Sequence, residues 1–187
     1  MKLETIKIPK STADMTMDHL PFFMNLAKFE SIPFEEISPI DVSDMLSLFF
    51  SKPAEYFDRY TPDSNKRLFG EICASCSLHQ SKPIKPEVKI NSQVYKWVSD
   101  YSKVNTAFHR DISRCDFVAN PLDILAFCYI EEGLEYNQLD KSQSIINSRK
   151  DRAKALKDQF SLSEYLDIQA FFLSSYNVLR KHSASQR

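Results

Sequence analysis

Apolar side chains recur at helical spacing over most of this chain and at strand spacing only in short pieces. Leu3–Ile8 alternates, with Ile6 and Ile8 on one side of Lys7, and Pro9 ends it, which predicts a short strand. Asp18 can cap a following helix whose first turn admits Pro21, with a stripe of Leu20, Phe23, Met24 and Ala27. Ser38-Pro39-Ile40-Asp41 is a stronger start. The serine accepts from first-turn amides, proline at the first helical position lacks an amide that has no partner there, and Asp41 suits the positive helix end. Met45, Leu48 and Phe49 are its expected buried face. Thr61-Pro62-Asp63 opens a helix to about Ser77, and Asn120-Pro121-Leu122-Asp123 opens one to about Ile130.

Pro83 and Pro86 break the chain between these helices. Val88–Ile90 and Val94–Val98 then read as a hairpin joined at Asn91-Ser92-Gln93, and Asn105 or Thr106 begins a helix carrying Phe108, Ile112 and Cys115. Asp140–Phe160 is polar and basic with a thin apolar stripe, so it is expected to be an exposed helix. Ser161-Leu-Ser-Glu164 is a capping box. Leu162, Tyr165, Leu166, Phe172, Leu173, Tyr176 and Leu179 continue the last helix to about His182, before a fraying end. The pattern gives a mainly α protein with a small β-hairpin or short sheet (α+β), bundle-like. It is organised either as one compact domain or as two lobes, 1–80 and 81–187, split near Ser81–Pro86.

Composition narrows what such a fold can do. Only Gly70 and Gly133 occur in 187 residues, which removes every glycine-lined phosphate cradle. The apolar fraction of 43% and charged fraction of 26% fit a soluble globular chain rather than a disordered one. Lys plus Arg (24) nearly balances Asp plus Glu (25), so no global field steers it onto nucleic acid or an anionic membrane. Residues 1–60 nevertheless carry a net charge of −4 and residues 61–120 one of +3. No apolar run approaches the roughly 18 residues of a membrane span, and Met1–Lys10 lacks a signal peptide's hydrophobic region, so cytosolic synthesis and reduced cysteines are expected.

Four clusters bear on chemistry. Cys73-Ala-Ser-Cys76 with His79 offers three soft ligands, and Cys115 can complete a zinc set only if folding brings it near; buried helix-face cysteines are the simpler reading, and no metal or cofactor is assigned. His109-Arg110-Asp111 and Asp116-Phe117 mimic kinase motifs without the glycine-rich lid or strand lysine that phosphoryl transfer requires. Glu131, Glu132 and Glu135 read as a solvated helix end rather than an acid–base pair, so enzymatic activity is not expected. Arg149, Lys150, Arg152, Lys154 and Lys157 can track phosphates, with Tyr95, Trp97 and Tyr101 as a stacking platform; the competing reading is surface pairing with Asp151 and Asp158, and hairpin aromatics packed on a helix.

The linear order carries one resemblance. Ile6-Lys-Ile-Pro9 followed by Ser11–Thr16, Val42–Phe49 with Lys52-Pro53 and Tyr56–Phe69, Val88–Tyr95 followed by Val104–Asp111, Asn120–Tyr129, and Phe160–Phe172 with its Phe-Phe pair resemble small tailed-bacteriophage tail and baseplate-hub assembly proteins. The likeness spans nearly the whole chain, departing at Asn91-Ser92, where that group has a glycine turn, and at Glu131-Glu132-Gly133, which replaces a proline-rich stretch. It implies a non-enzymatic chaperone-like or minor virion component in the host cytoplasm or virion. Its partners would be phage tail or baseplate proteins, with self-association also open and no membrane contact. The expected contact surface is Phe22, Phe23, Phe49, Phe50, Tyr56 and Phe57, because neighbouring phenylalanines on one helix cannot both face a single core; the competing reading is a helix sandwiched between two layers, which buries both rings within the monomer. The alternative is a nucleic-acid-associated phage protein using the 149–157 helix.

Overall fold

The structure is a computed structural model that describes residues 7–104, 106–133 and 145–184. It is mainly helical with one small antiparallel sheet, as the pattern predicts. The chain folds into two compact units, Met1–Gln80 with Ser161–Ser163, and Ser81–Phe160 with Glu164–Arg187.

The first unit is built on three helices, α1 (Leu20–Leu26), α2 (Pro39–Phe50) and α3 (Pro62–Ser77), joined by 3-10 turns. The two hydroxyl–proline starts behave as expected. Ser38 Oγ accepts from the Asp41 amide at 3.1 Å and Thr61 Oγ1 from the Ser64 amide at 3.3 Å, each satisfying a first-turn donor that the helix leaves free. Near α1 the expectation shifts. Thr16 rather than Asp18 caps the chain, through a 3-10 turn at Met17–His19 closed by the Thr16 amide donating to His19 Nδ1 at 3.1 Å. α1 buries Leu20 and Phe22 rather than Phe23, because a seven-residue helix flanked by 3-10 turns does not hold a 100° stripe. The core is aromatic. Phe22 meets Phe49 edge-on at 5.0 Å and Phe69 at 6.2 Å, while Phe34 stacks on Phe69 at 5.9 Å. Gly70 lets the Phe34 ring lie close, since a Cβ there would stand 3.2 Å from it and push it by a few tenths of an ångström. Residues 161–163 complete this unit: the Leu162 amide donates to the Met15 carbonyl at 2.9 Å, and the Ser163 hydroxyl donates to the Gln80 carbonyl. The strand expected over Leu3–Ile8 lies largely outside the described residues; Lys7 and Ile8 themselves are not in a strand.

The second unit holds the sheet, β1 (Glu87–Ile90), β2 (Gln93–Trp97) and β3 (Tyr129–Glu131), in that order. β1 and β2 form the expected hairpin, with Ile90 opposite Gln93 and both turn residues at positive φ, Asn91 at 47° and Ser92 at 72°. β3 is a correction. The helix expected to run to Ile130 is the short α5 (Asp123–Cys128), after which the chain turns extended and pairs Tyr129 with Trp97 and Glu131 with Tyr95. Around the sheet stand α4 (Thr106–Ser113), α6 (Ile145–Lys157) and α7 (Leu162–Ala184), the last entering this unit from Glu164. α6 is not simply an exposed helix, since Ala153 and Leu156 are buried.

Candidate functional site

α2 presents the most distinctive surface of the first unit. At 100° per residue, Val42, Met45, Leu46 and Phe49 fall on one side, and these four are buried. Ile40, Asp44 and Leu48 follow one another at intervals of four along a row that starts on the other side and drifts 80° toward the buried face by Leu48, flanked by Asp41. Ile40 is 74% exposed and Leu48 39%. Leu48 is therefore not part of the buried face expected with Met45 and Phe49; at 100° per residue it lies 80° from Ile40 and 60° from Met45, on the border between the two faces, and its exposure rather than the wheel separates it from the core. The connector entering α2 adds Ile32 and Phe34, both exposed, so four of the seven exposed large apolar side chains among the described residues lie between Ile32 and Leu48.

Charge singles out the same segment. From Phe29 to Ser51 the chain carries Glu30, Glu35, Glu36, Asp41 and Asp44 and no Lys or Arg. All five carboxylates are exposed, and none is ion-paired among the described residues. Lys66 reaches the segment, where it donates to the Glu35 carbonyl at 2.6 Å and lies 5.7 Å from the centre of the Phe34 ring.

The six aromatic residues expected to form the contact surface separate into two groups. Phe22, Phe49 and Phe57 are buried at 0%, 4% and 0% exposure, so all three belong to the core, and only Phe49 shows a sliver of its ring at the surface. Phe23, Phe50 and Tyr56 are half-buried, so one ring of each Phe-Phe pair does turn outward. Phe50 and the edge of Phe49 line an open groove of about 590 Å³ with Lys7, Ile8, Pro9, Lys10, Asp14 and His19. His19 lies on Phe49 with ring centres 4.6 Å apart.

The basic residues of α6 do not form one outward stripe. Arg149 turns in toward Asp123, and Arg152 donates to the Ala126 carbonyl through Nε and Nη2 at 3.3 and 3.1 Å. Lys150 and Lys154 are exposed and Lys157 is half-buried. The stacking platform is likewise occupied within its own unit: Trp97 packs on Tyr129 and Phe171, Tyr101 on Phe108, and Tyr95 is buried. Arg149, Arg152 and the three aromatics are thus engaged with neighbours in their own unit, with Arg149, Arg152 and Trp97 half-buried.

The thiols are set for packing. Burial pushes Cys73 up to about 11 and Cys76, with its neighbour Cys73 adding to the effect, up to about 12. Cys128, fully buried, also rises to about 12 and shares a 3.0 Å hydrogen bond with the Tyr101 hydroxyl, whose own ionisation burial pushes upward. Cys76 Sγ faces Met15 Sδ at 4.0 Å, and His79 Nδ1 stands 3.3 Å from Thr12 Oγ1 and 3.4 Å from Ser163 Oγ. Among the described residues no group of three or more His, Cys, Asp or Glu is placed to hold a metal ion. Asp116, from the kinase-like motif, accepts the Val118 and Ala119 amides at 3.0 Å each and so shapes a turn. Glu131 accepts from Gln93 and Glu132 pairs with Lys96; Glu135 lies outside the described residues.

No known protein family, curated protein or solved structure matches this chain. Among the described residues, no helix is long and apolar enough to cross a membrane.

Proposed function

We propose that this chain is a non-enzymatic assembly protein of a tailed bacteriophage, acting in the host cytoplasm or virion by holding a tail or baseplate component through apolar contact. The observation that carries this reading is the grouping of Ile32, Phe34, Ile40 and Leu48 in one short stretch at the surface of the first unit. Scattered exposed apolar side chains are ordinary, whereas a grouped set is what a binding partner covers. The tail-protein likeness of the sequence supplies the partner class. The half-buried rings of Phe23, Phe50 and Tyr56 add apolar area in the same unit.

The test is co-expression with the tail and baseplate proteins of the source phage, followed by size-exclusion chromatography with light scattering. A defined complex with one of them is the expected result. A chain that stays monomeric beside every such component would sink the proposal.

A further inference from the structure

We propose that the outward face of α2 docks a basic amphipathic helix of the partner protein, with Ile40 and Leu48 as apolar anchors and the carboxylates around them meeting its lysines and arginines. This rests on the assembly reading in taking the occupant to be a protein.

Three observations converge on that occupant. Ile40 and Leu48 are separated by eight residues, about 12 Å along the axis, which matches two turns of a helix laid beside α2. Asp44 sits between them and Asp41 beside them, and Asp41 is held by the Ser38 hydroxyl at 2.7 Å rather than by a cation. In the second unit, by contrast, Glu87, Glu132, Asp100 and Glu164 each pair with a lysine of their own unit. A surface of one sign next to exposed apolar side chains selects a partner of the opposite sign with its own apolar stripe, and repels an acidic one. A second copy presenting this same acidic face would meet like charge.

The probe is a fluorescein-labelled peptide of about 18 leucine and lysine residues with its leucines at i, i+3, i+4 and i+7, followed by anisotropy with the full chain at about 50 and about 300 mM salt. Binding is expected to weaken about tenfold or more in the Ile40→Lys, Leu48→Lys double variant, and to weaken and lose part of its salt dependence in Asp41→Asn, Asp44→Asn. Val118→Lys and Leu173→Lys, exposed apolar positions of the second unit, are expected to bind as the original chain does. Far-UV circular dichroism establishes that each variant is folded; if the lysine pair is not, Ile40→Ser, Leu48→Ser replaces it. Equal binding by the α2 variants, equal binding of a scrambled or a leucine–glutamate peptide, no binding at all, or a dimer that the Ile40→Lys, Leu48→Lys variant dissolves would each overturn the inference. A tail component that binds and is lost with that variant, while the peptide does not bind, sinks this inference and leaves the assembly reading standing. Peptide binding without any tail component does the reverse.

Discussion

The Nε atom of Arg149 lies 3.1 Å from Oδ2 of Asp123, with the two side chains only 13% and 5% exposed. The Nε–H is not aligned for a hydrogen bond, so the contact is one of charge rather than of a directed bond. The guanidinium also lies 5.5 Å from the centre of the Phe127 ring; burial pushes the nearby Cys115 thiol up, and the Arg149 charge offsets only part of that rise. α6 is thus anchored to α5 by a charge that has little water to return to.

Removing one side of that pair leaves the other charge uncompensated. Arg149→Ala is expected to cost about 3–5 kcal/mol, whereas the double change Arg149→Met, Asp123→Leu is expected to recover most of the loss. Chemical denaturation of the two variants checks this; equal destabilisation by both would show that packing rather than charge governs the site.

The buried thiols predict the alkaline limit of the fold. An unfolded thiol ionises near 9.0, while Cys73, Cys76 and Cys128 hold their protons up to about 11 or 12. Between those values the unfolded chain has released protons that the folded chain still binds, so this contribution is intact below about pH 9 and falls as pH rises through 9 to 12. Tyr101, Tyr129 and Tyr165, also pushed up by burial, act in the same direction at higher pH. Melting temperatures between pH 7 and pH 11 are expected to decline above about pH 9, more shallowly in Cys128→Ala.

Thiol labelling follows from the same burial. In the folded chain at neutral pH, Cys76 and Cys128 are expected to resist a disulfide reagent, and the half-buried Cys73 and Cys115 to react first. All four are expected to react in denaturant, and rapid native labelling of Cys128 would contradict its placement beside Tyr101.

Ser92 holds φ at 72°, a region that costs a residue with a Cβ about 1 kcal/mol. Ser92→Gly is therefore expected to stabilise the second unit by about 0.5–1 kcal/mol, and Ser92→Val to destabilise it. Thermal melts of the pair measure the difference.

The helix starts at Ser38-Pro39 and Thr61-Pro62 are readable in the sequence because capping is settled within four residues, and the Asn91-Ser92 hairpin for the same reason. β3 is not. Every residue from Asp123 to Tyr129 is buried, so the run has no polar side from which a period can be read, and Tyr129 becomes strand only because β2 offers it an edge. The inward turn of Arg149 and Arg152 depends on Asp123 and the Ala126 carbonyl, partners more than twenty residues earlier in the chain. The outer face of α2 lies only partly within reach of a helical wheel, since Leu48 stands on its border and reads as core until its exposure is known.

Thr16 bridges to Ser161, and Leu162 donates to Met15, so the first unit is finished by residues about eighty positions beyond its main body. On the ribosome, helices α1 to α3 emerge and pack while those closing residues have yet to be synthesised. The nascent first unit therefore waits, incomplete at Met15 and Thr16, until most of the chain has left the exit tunnel.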